Sequence, residues 1–259
     1  MIVDLHNHTT LCNHADGAID EYIDEAIKNG TKYFGFSDHA PMDFDPKYRM
    51  SFEQMAQYEK DILDAKNRYK DKIEILLAYE VDYLKGYIDD RILNSNVDYL
   101  IGSVHFLDSW GFDNPEFIGN YKNKNIDEIW QKYFNTIEDM ANSKLFDIVG
   151  HLDLIKVFKF MPNKDITTIA KKALLAIKKA DMSIEINMAG FRKPIKESYP
   201  AIPLLKIAYE LKIPITFGSD AHTPKQVGLF SDEIVKIAKK IGYEECCYYK
   251  NRKRIMIRI

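Results

Sequence analysis

The amino-acid sequence predicts an α/β fold in which seven short strands alternate with helices and close into a barrel. Seven runs are short, apolar and rich in Ile, Val, Tyr or Phe, as strands buried on both faces are. Amphipathic helical patterns separate most of these runs, which indicates a parallel sheet with right-handed crossovers. Because a barrel of ~250 residues is a normal single domain, we expect one domain across residues 1–259.

The expected strands begin at the N-terminus and recur along the whole chain. They cover residues 2–5, 33–37, 73–80, 99–104, 147–151, 183–187 and 214–219. An open, doubly wound sheet is the alternative arrangement of such units. No Gly-rich dinucleotide loop and no P-loop follows any of these runs, so the usual ligands of open sheets lack their sequence signatures.

Helices are expected where apolar residues recur every three or four positions. Residues 51–54 have the pattern of a capping box, and an apolar stripe follows them. A short first helix ends at Gly30, and the last helix begins at Ser231 and ends at Gly242. Further stripes lie at residues 129–141, 166–177 and 204–211. Between the third and fourth strands, residues 86–96 have room for only one short helix.

Composition and charge exclude several classes of partner. The chain has 36 Lys+Arg and 39 Asp+Glu residues, whereas a duplex-binding domain usually has a basic excess. No run approaches the ~18–20 apolar residues of a membrane span, and the first residues do not resemble a signal peptide. Cys12, Cys246 and Cys247 form no paired pattern, which favours a reducing compartment. We therefore expect a cytoplasmic protein that binds neither nucleic acid nor membranes; the oligomeric state is left open.

All seven histidines follow predicted strands. Six lie at or just past a strand end, and the remaining one, His14, lies in the loop after the first strand. The C-terminal ends of the strands form one face of an α/β barrel, and active sites are built there. The histidines, with two carboxylates at the same strand ends, are His6, His8, His14, His39, His105, His151, His222, Glu80 and Asp220.

The spacing of these residues predicts a metal site. His6 and His8 are two positions apart, so their side chains point the same way in an extended chain, and Asp220 and His222 share this spacing. Imidazole and carboxylate are the ligand mix expected for zinc, manganese or iron. A single His-x-His pair is more often a chance pair in a loop. Because all seven histidines follow predicted strands, the sequence predicts a site that holds more than one metal ion.

These motifs resemble the polymerase-and-histidinol-phosphatase (PHP) superfamily of metal phosphoesterases. The matching segments are His6-x-His8 with His14 and Asp16-Gly17, then Ser37-Asp38-His39, Glu80, His105, Gly150-His151 and Ser219-Asp220-Ala221-His222. Further segments are similar to stand-alone histidinol-phosphate phosphatases. They lie at residues 38–41, 49–51, 80–83, 150–154, 185–187 and 190–194.

The resemblance implies a distorted seven-stranded (β/α)7 barrel, TIM-like and of the PHP type, with three divalent ions. Zn²⁺ is the first expectation, and Mn²⁺ or Fe²⁺ are alternatives. It implies that His6, His8, Glu80 and Asp220 hold one ion, that Glu80 bridges to a second held by His105 and His151, and that His14, His39 and His222 hold the third. Spacing alone predicts only a common site.

The reaction implied by the resemblance is hydrolysis of a small phosphomonoester, with L-histidinol phosphate of histidine biosynthesis as the leading substrate. Metals lower the pKa of bound water, so a hydroxide bridging two of them could attack the phosphate. We expect catalysis to depend on Glu80, Asp220 and His222.

Cationic side chains are expected to position the phosphate. Arg192 is the leading candidate, because it follows the sixth strand and a guanidinium can bind phosphate through two hydrogen bonds. Lys156, Lys159 and Arg49 are weaker candidates.

Other readings stay open at this point. The substrate could be another small phosphomonoester or a nucleotide, or the chain could be a non-catalytic, metal-binding regulatory barrel. A vacant ligand position would favour the regulatory barrel, and none is vacant. The general acid could be Asp38, Asp153 or a metal-bound water, and Asp43 or Asp45 could contact the imidazole and amino group of the substrate.

Overall fold

The computed structural model describes all 259 residues. Its strands, in chain order, are β1 Val3–Asp4, β2 Tyr33–His39, β3 Glu74–Asp82, β4 Tyr99–Ser103, β5 Phe106–Leu107, β6 Trp110–Gly111, β7 Ile148–Val149, β8 Ser183–Asn187, β9 Ile215–Gly218, β10 Glu245–Lys250 and β11 Lys253–Arg258. Its helices are α1 Ile19–Lys28, α2 Met55–Tyr69, α3 Asp90–Leu93, α4 Ile126–Ser143, α5 Ile166–Lys179, α6 Ala189–Arg192, α7 Ile202–Glu210 and α8 Ser231–Ile241.

Seven of these strands form one parallel sheet in the order β1-β2-β3-β4-β7-β8-β9. The sheet closes between β9 and β1, where the amide of Leu5 donates to the carbonyl oxygen of Phe217 at 2.9 Å and the amide of Asp220 donates to that of His6 at 2.7 Å. The predicted seven-stranded barrel is thereby confirmed, and every predicted strand overlaps an observed one.

The apolar residues of the strands divide between two cores. On β3, Leu76 and Ala78 belong to the core inside the barrel, while Ile75 and Leu77 pack toward the surrounding helices. This division follows from the alternation of side chains along a strand, with both faces covered. No helix is long and apolar enough to span a membrane.

Two hairpins were not predicted from the sequence. The hairpin β10–β11 packs against β1 and β9, and Cys246 and Cys247 are buried in the same apolar cluster as Leu76 and Ala78. Its turn residue Arg252 binds Asp147, which precedes β7, so the hairpin covers the N-terminal end of the barrel. The short hairpin β5–β6 lies at the opposite end, directly after His105.

Candidate metal centre

A cavity of about 530 Å³ lies at the C-terminal ends of the strands. Its wall includes five of the seven histidines, together with Glu80 and Asp220. His6 and His8 lie behind this wall and are completely buried. The structure therefore brings all nine predicted ligand residues to one end of the barrel, although they are spread over more than 200 positions of the sequence.

Glu80 lies at the centre of the cluster, because β3 is flanked by β2 and β4; Glu80 pairs with His39 at the end of β2, and β3 then continues to Asp82, level with the end of β4. Its Oε2 atom is 3.2 Å from Nε2 of His6 and 3.0 Å from Nδ1 of His39. Its Oε1 atom is 2.9 Å from Nε2 of His151 and 3.6 Å from Nε2 of His105. The two carboxylate oxygens thus face two different groups of imidazoles.

The candidate ligand atoms form five overlapping compact groups, and three of them match the sets expected from the resemblance, the first without Asp220. Within each group the donor atoms lie within 4.8 Å of one another. The three matching groups are His6, His8 and Glu80; Glu80, His105 and His151; and His14, His39 and His222. The other two are His8, Cys12 and His222, and His39, Asp82 and His105. Asp220 reaches the first group through Oδ1, which is 3.3 Å from Nε2 of His8.

Three carboxylates outside the predicted ligand set contact the Nδ1 side of histidine rings in the cluster. Nδ1 of His6 lies 2.8 Å from Oε1 of Glu185, and Nδ1 of His105 lies 2.7 Å from Oδ1 of Asp82. Oδ1 of Asp38 lies 3.3 Å from Nδ1 of His8 in the same way. A carboxylate at Nδ1 fixes the ring so that Nε2 points away from it, as in metal sites with oriented histidines.

Several buried ring nitrogens have no hydrogen bond. They are Nε2 of His6, His8 and His222, and Nδ1 of His39 and His151. Leaving a buried polar atom without a partner is costly, and proteins rarely do so without a reason. Neutral imidazole nitrogens that converge on carboxylate oxygens are the donor set that divalent transition metals prefer. The residues present therefore fit divalent ions.

Electrostatic coupling within the cluster is strong. Burial alone would lower the pKa of His6, but the carboxylates of Glu185 and Glu80 outweigh it and raise that pKa well above its ordinary value. Burial lowers the pKa of His39 to about 4, against the attraction of Glu80. Burial would raise the pKa of Glu80, yet the surrounding histidines hold it well below its usual range. The carboxylate is thus kept charged and the outer imidazole neutral.

Arg192 lies on the cavity wall, at the end of the short helix α6. The side-chain oxygen of Asn187 accepts a hydrogen bond from the amide of Ala189 at 2.8 Å and so fixes the start of this helix. Nη2 of Arg192 donates to the carbonyl oxygens of Ser219 and Asp220 at 2.9 and 2.8 Å. Its Nη1 is buried without a partner.

Arg49 also lines the cavity, but its guanidinium is already paired. Nη1 donates to Oδ2 of Asp82 at 2.9 Å, and Nε donates to the carbonyl oxygen of Asp45 at 2.8 Å. Because Asp82 in turn holds His105, Arg49 supports a histidine ring rather than an open anion site.

The two predicted lysines do not reach the cavity. Nζ of Lys156 is fully buried, 3.0 Å from Oδ2 of Asp153, and it donates to the carbonyl oxygen of Ser198 at 2.8 Å. Lys159 is exposed to solvent and does not belong to the cavity wall. This placement gives no support to the expectation that these lysines bind phosphate, because a position after a strand does not determine where a long side chain points.

The two carboxylates considered as general acids also lie outside the cavity wall. Asp153 is paired with Lys156. Asp38 accepts hydrogen bonds from the amides of Thr9 and His39 at 3.1 and 2.8 Å, besides its contact with His8. Both carboxylates therefore hold other groups in place.

Four residues of the site had no predicted role: Glu185, Asp82, Asp113 and Lys193. Asp82 stands two positions after Glu80 on the same strand, and Glu185 stands two positions before Asn187. Residues at this spacing share one face of a strand, so the pattern could have indicated both. Lys193 follows α6 within the segment 190–194 that carries the resemblance, whereas Asp113 lies on a loop that no sequence pattern marks.

Comparison with protein families and curated proteins gives consistent matches. The model of the PHP domain matches residues 4–189, and that of the PHP-associated family matches residues 205–235. A relative named "Probable histidinol-phosphatase" from Deinococcus radiodurans is 36% identical over 246 residues, which covers 93% of this chain and 94% of the relative. The histidinol-phosphatase of Bacillus subtilis is 28% identical over 257 residues, covering 87% and 95%.

Solved structures share the fold. A crystal structure from Listeria monocytogenes superposes with a TM-score of 0.80 at 25% identity, covering 89% of this chain and 99% of that chain. Histidinol phosphate phosphatase from Lactococcus lactis, complexed with zinc, L-histidinol and phosphate, has a TM-score of 0.80 at 24% identity and covers 98% of each chain. At this level of identity the second match supports the barrel architecture alone.

Proposed function

Because this chain belongs to the PHP domain family, we propose that it hydrolyses L-histidinol phosphate to L-histidinol and phosphate in a metal-dependent reaction. The observation that carries the proposal is Glu80, whose two oxygens face separate groups of histidines at one cavity. The Deinococcus radiodurans relative supports the choice of substrate, since it is 36% identical over nearly the whole chain.

The proposed metal centre contains three divalent ions, with zinc as the first expectation. His6, His8, Glu80 and Asp220 would hold the first ion, Glu80, His105 and His151 the second, and His14, His39 and His222 the third. When bound, such ions would offset the charge of the phosphate and lower the pKa of coordinated water, which makes a nucleophile available near neutral pH.

The chain's own residues would arrange this chemistry. Glu80, Asp220 and His222 remain the residues on which we expect catalysis to depend, because they lie on the wall where the substrate must enter. Three further carboxylates would orient the ligand histidines. Each contacts the Nδ1 atom of one ring and so directs its Nε2 atom into the cluster: Glu185 contacts His6, Asp38 contacts His8 and Asp82 contacts His105.

Arg192 is the proposed phosphate ligand of the chain. Its Nη2 is fixed by two carbonyl oxygens, so the guanidinium is held in one orientation before substrate arrives. Its buried and unpaired Nη1 is available to donate to a phosphate oxygen. Arg49 is proposed to act indirectly, by holding Asp82 against His105.

We also propose that residues 1–259 form a single domain. The PHP-associated match covers β9, and β9 pairs with β8 of the main match and closes the barrel against β1. A cytoplasmic location stays a prediction from the cysteine pattern.

Metal analysis combined with a panel of phosphomonoesters tests the proposal. Purified protein should carry more than one equivalent of transition metal and should show its highest kcat/KM on L-histidinol phosphate. The panel should include p-nitrophenyl phosphate, a sugar phosphate, a nucleoside monophosphate and phosphotyrosine. Less than one equivalent of metal, with no phosphatase activity after reconstitution, would contradict the enzyme proposal. Equal kcat/KM values across the panel would contradict only the substrate.

A further inference from the structure

Five carboxylates line the cavity, and four of them already have partners in the chain. Glu80 and Asp220 face the histidines, Asp82 binds His105 and Arg49, and Asp45 lies 3.7 Å from the guanidinium of Arg49. The fifth is Asp113, which follows the hairpin β5–β6. No other residue of the chain hydrogen-bonds or ion-pairs with its carboxylate.

Asp113 is held in place from both sides. The preceding residue, Phe112, is completely buried, its ring meets that of Tyr133 edge-on at 5.4 Å, and the hydroxyl of Tyr121 donates to its carbonyl oxygen at 3.3 Å. The following residue, Asn114, accepts a hydrogen bond from the amide of Glu116 at 2.9 Å and caps the short helical turn there. The backbone that carries Asp113 is therefore held on both sides before any ligand binds.

The surroundings of Asp113 favour a cationic ligand. Burial raises the pKa of the Asp113 carboxyl, while His105, Lys193 and His151 favour its ionised form. Asp113 is half-buried. Partial burial of a carboxylate without a hydrogen-bonded partner is costly, and a cation that enters the cavity relieves that cost. Lys193 relieves it only in part, because its side chain is exposed and attracts Asp113 without forming an ion pair.

Aromatic side chains complete this part of the cavity. Phe106 and Phe117 line it from the hairpin and from the turn that follows, and Tyr199 lines it from the segment after α6. The hydroxyl of Tyr199 is buried and has no hydrogen-bond partner. Aromatic faces with one free hydroxyl and one free carboxylate suit a flat ring that carries an adjacent ammonium group.

We propose that Asp113 binds the protonated amine of the substrate beside its imidazole ring, and that this contact selects L-histidinol phosphate over phosphomonoesters without a positive charge. This inference rests on the proposed function. It makes Asp113 a specificity-determining residue, whereas the two aspartates suggested by the sequence do not fit: Asp45 is paired with Arg49, and Asp43 lies outside the cavity wall.

The test compares Asp113→Asn with the wild-type protein on two substrates, L-histidinol phosphate and p-nitrophenyl phosphate. Asparagine keeps the shape of the side chain and removes its charge. The specificity ratio is kcat/KM for L-histidinol phosphate divided by kcat/KM for p-nitrophenyl phosphate. We expect this ratio to fall about 10-fold to 100-fold in Asp113→Asn, the effect of losing one charge-assisted hydrogen bond. The same ratio should fall less in Asp113→Glu, because glutamate keeps the negative charge. Asp108→Asn, an exposed aspartate on the same hairpin, is the matched control.

A binding measurement separates this inference from the proposed function. Calorimetry with L-histidinol alone should give a Kd that rises about 10-fold or more in Asp113→Asn. An unchanged substrate ratio together with an unchanged Kd would overturn the role of Asp113, even if the wild-type protein turns over L-histidinol phosphate. Failure of the proposed function has a different signature, namely a wild-type protein that hydrolyses p-nitrophenyl phosphate but not L-histidinol phosphate.

Discussion

Glu185 holds His6 through a hydrogen bond of 2.8 Å between Oε1 and Nδ1, and both side chains are buried. The other oxygen of Glu185, Oε2, accepts a hydrogen bond of 2.9 Å from the backbone amide of His151. One carboxylate on β8 therefore orients a histidine that follows β1 and fixes the backbone of a histidine that follows β7. These two histidines belong to different groups of candidate ligands, so Glu185 couples the two groups from outside the cavity.

Gly218 makes room for this carboxylate, which leads to the first prediction. A Cβ atom at position 218 would lie 1.8 Å from Oε1 of Glu185 and 2.7 Å from Cβ of His6. Gly218→Ala should displace Glu185, lower stability by about 1–3 kcal/mol, and reduce the metal content of the purified protein. Gly119→Ala is the control, because a Cβ there would meet nothing within 4 Å. Thermal unfolding and metal analysis of both variants check this; equal metal content in the two would contradict it.

The strands and the metal-ligand residues could be predicted because both depend on local pattern. Strands buried on two faces are apolar throughout, and parallel strands place their C-terminal residues together whatever lies between them in the sequence. The hairpin β10–β11 could not be recognised in this way. Its strands alternate imperfectly, and what stabilises them is the packing of Cys246 and Cys247 against the barrel.

Side-chain direction was the other limit. Arg192 and Lys156 both follow strands, yet only Arg192 reaches the cavity. Its direction is set by carbonyl oxygens of a distant segment, at Ser219 and Asp220, which the sequence cannot show as neighbours. Lys156 instead finds Asp153 three residues earlier, within one helical turn.

Glu80→Gln should abolish turnover and lower the metal content. The amide keeps the volume of the side chain but removes the charge that faces His6, His39 and His151. We expect a loss in kcat of more than about 100-fold, because a change in a residue that only supports a metal ligand already costs up to about that much. Glu210→Gln, at an exposed position of α7, should leave both quantities unchanged. A kcat near that of the wild-type protein would rule out a central role for Glu80.

Lys156→Met should destabilise the fold without a direct effect on phosphate binding. Removing one partner of a buried ion pair leaves Asp153 uncompensated and costs about 3–5 kcal/mol. For a chain of this size, that corresponds to a Tm lower by roughly 6–20 °C. Lys159→Met is the control, since Lys159 is exposed and should tolerate the change. An unchanged Tm with a raised KM in Lys156→Met would restore this lysine as a phosphate ligand.

Arg192→Ala should weaken the binding of every phosphomonoester, because the guanidinium is proposed to contact the group that all of them share. We expect kcat/KM to fall about 10-fold to 100-fold on both L-histidinol phosphate and p-nitrophenyl phosphate. The ratio of the two values should stay near that of the wild-type protein, unlike in Asp113→Asn. Arg258→Ala, at the opposite end of the barrel, is the control and should leave both values unchanged.

A competing explanation is that Arg192 only braces the carbonyl oxygens of Ser219 and Asp220. Inhibition by inorganic phosphate distinguishes the two roles. If Arg192 binds phosphate, the inhibition constant should rise about 10-fold or more in Arg192→Ala while the metal content stays constant. If it acts only as a brace, the metal content should fall through the displacement of Asp220, and a protein reconstituted with excess metal should recover its wild-type affinity for inorganic phosphate.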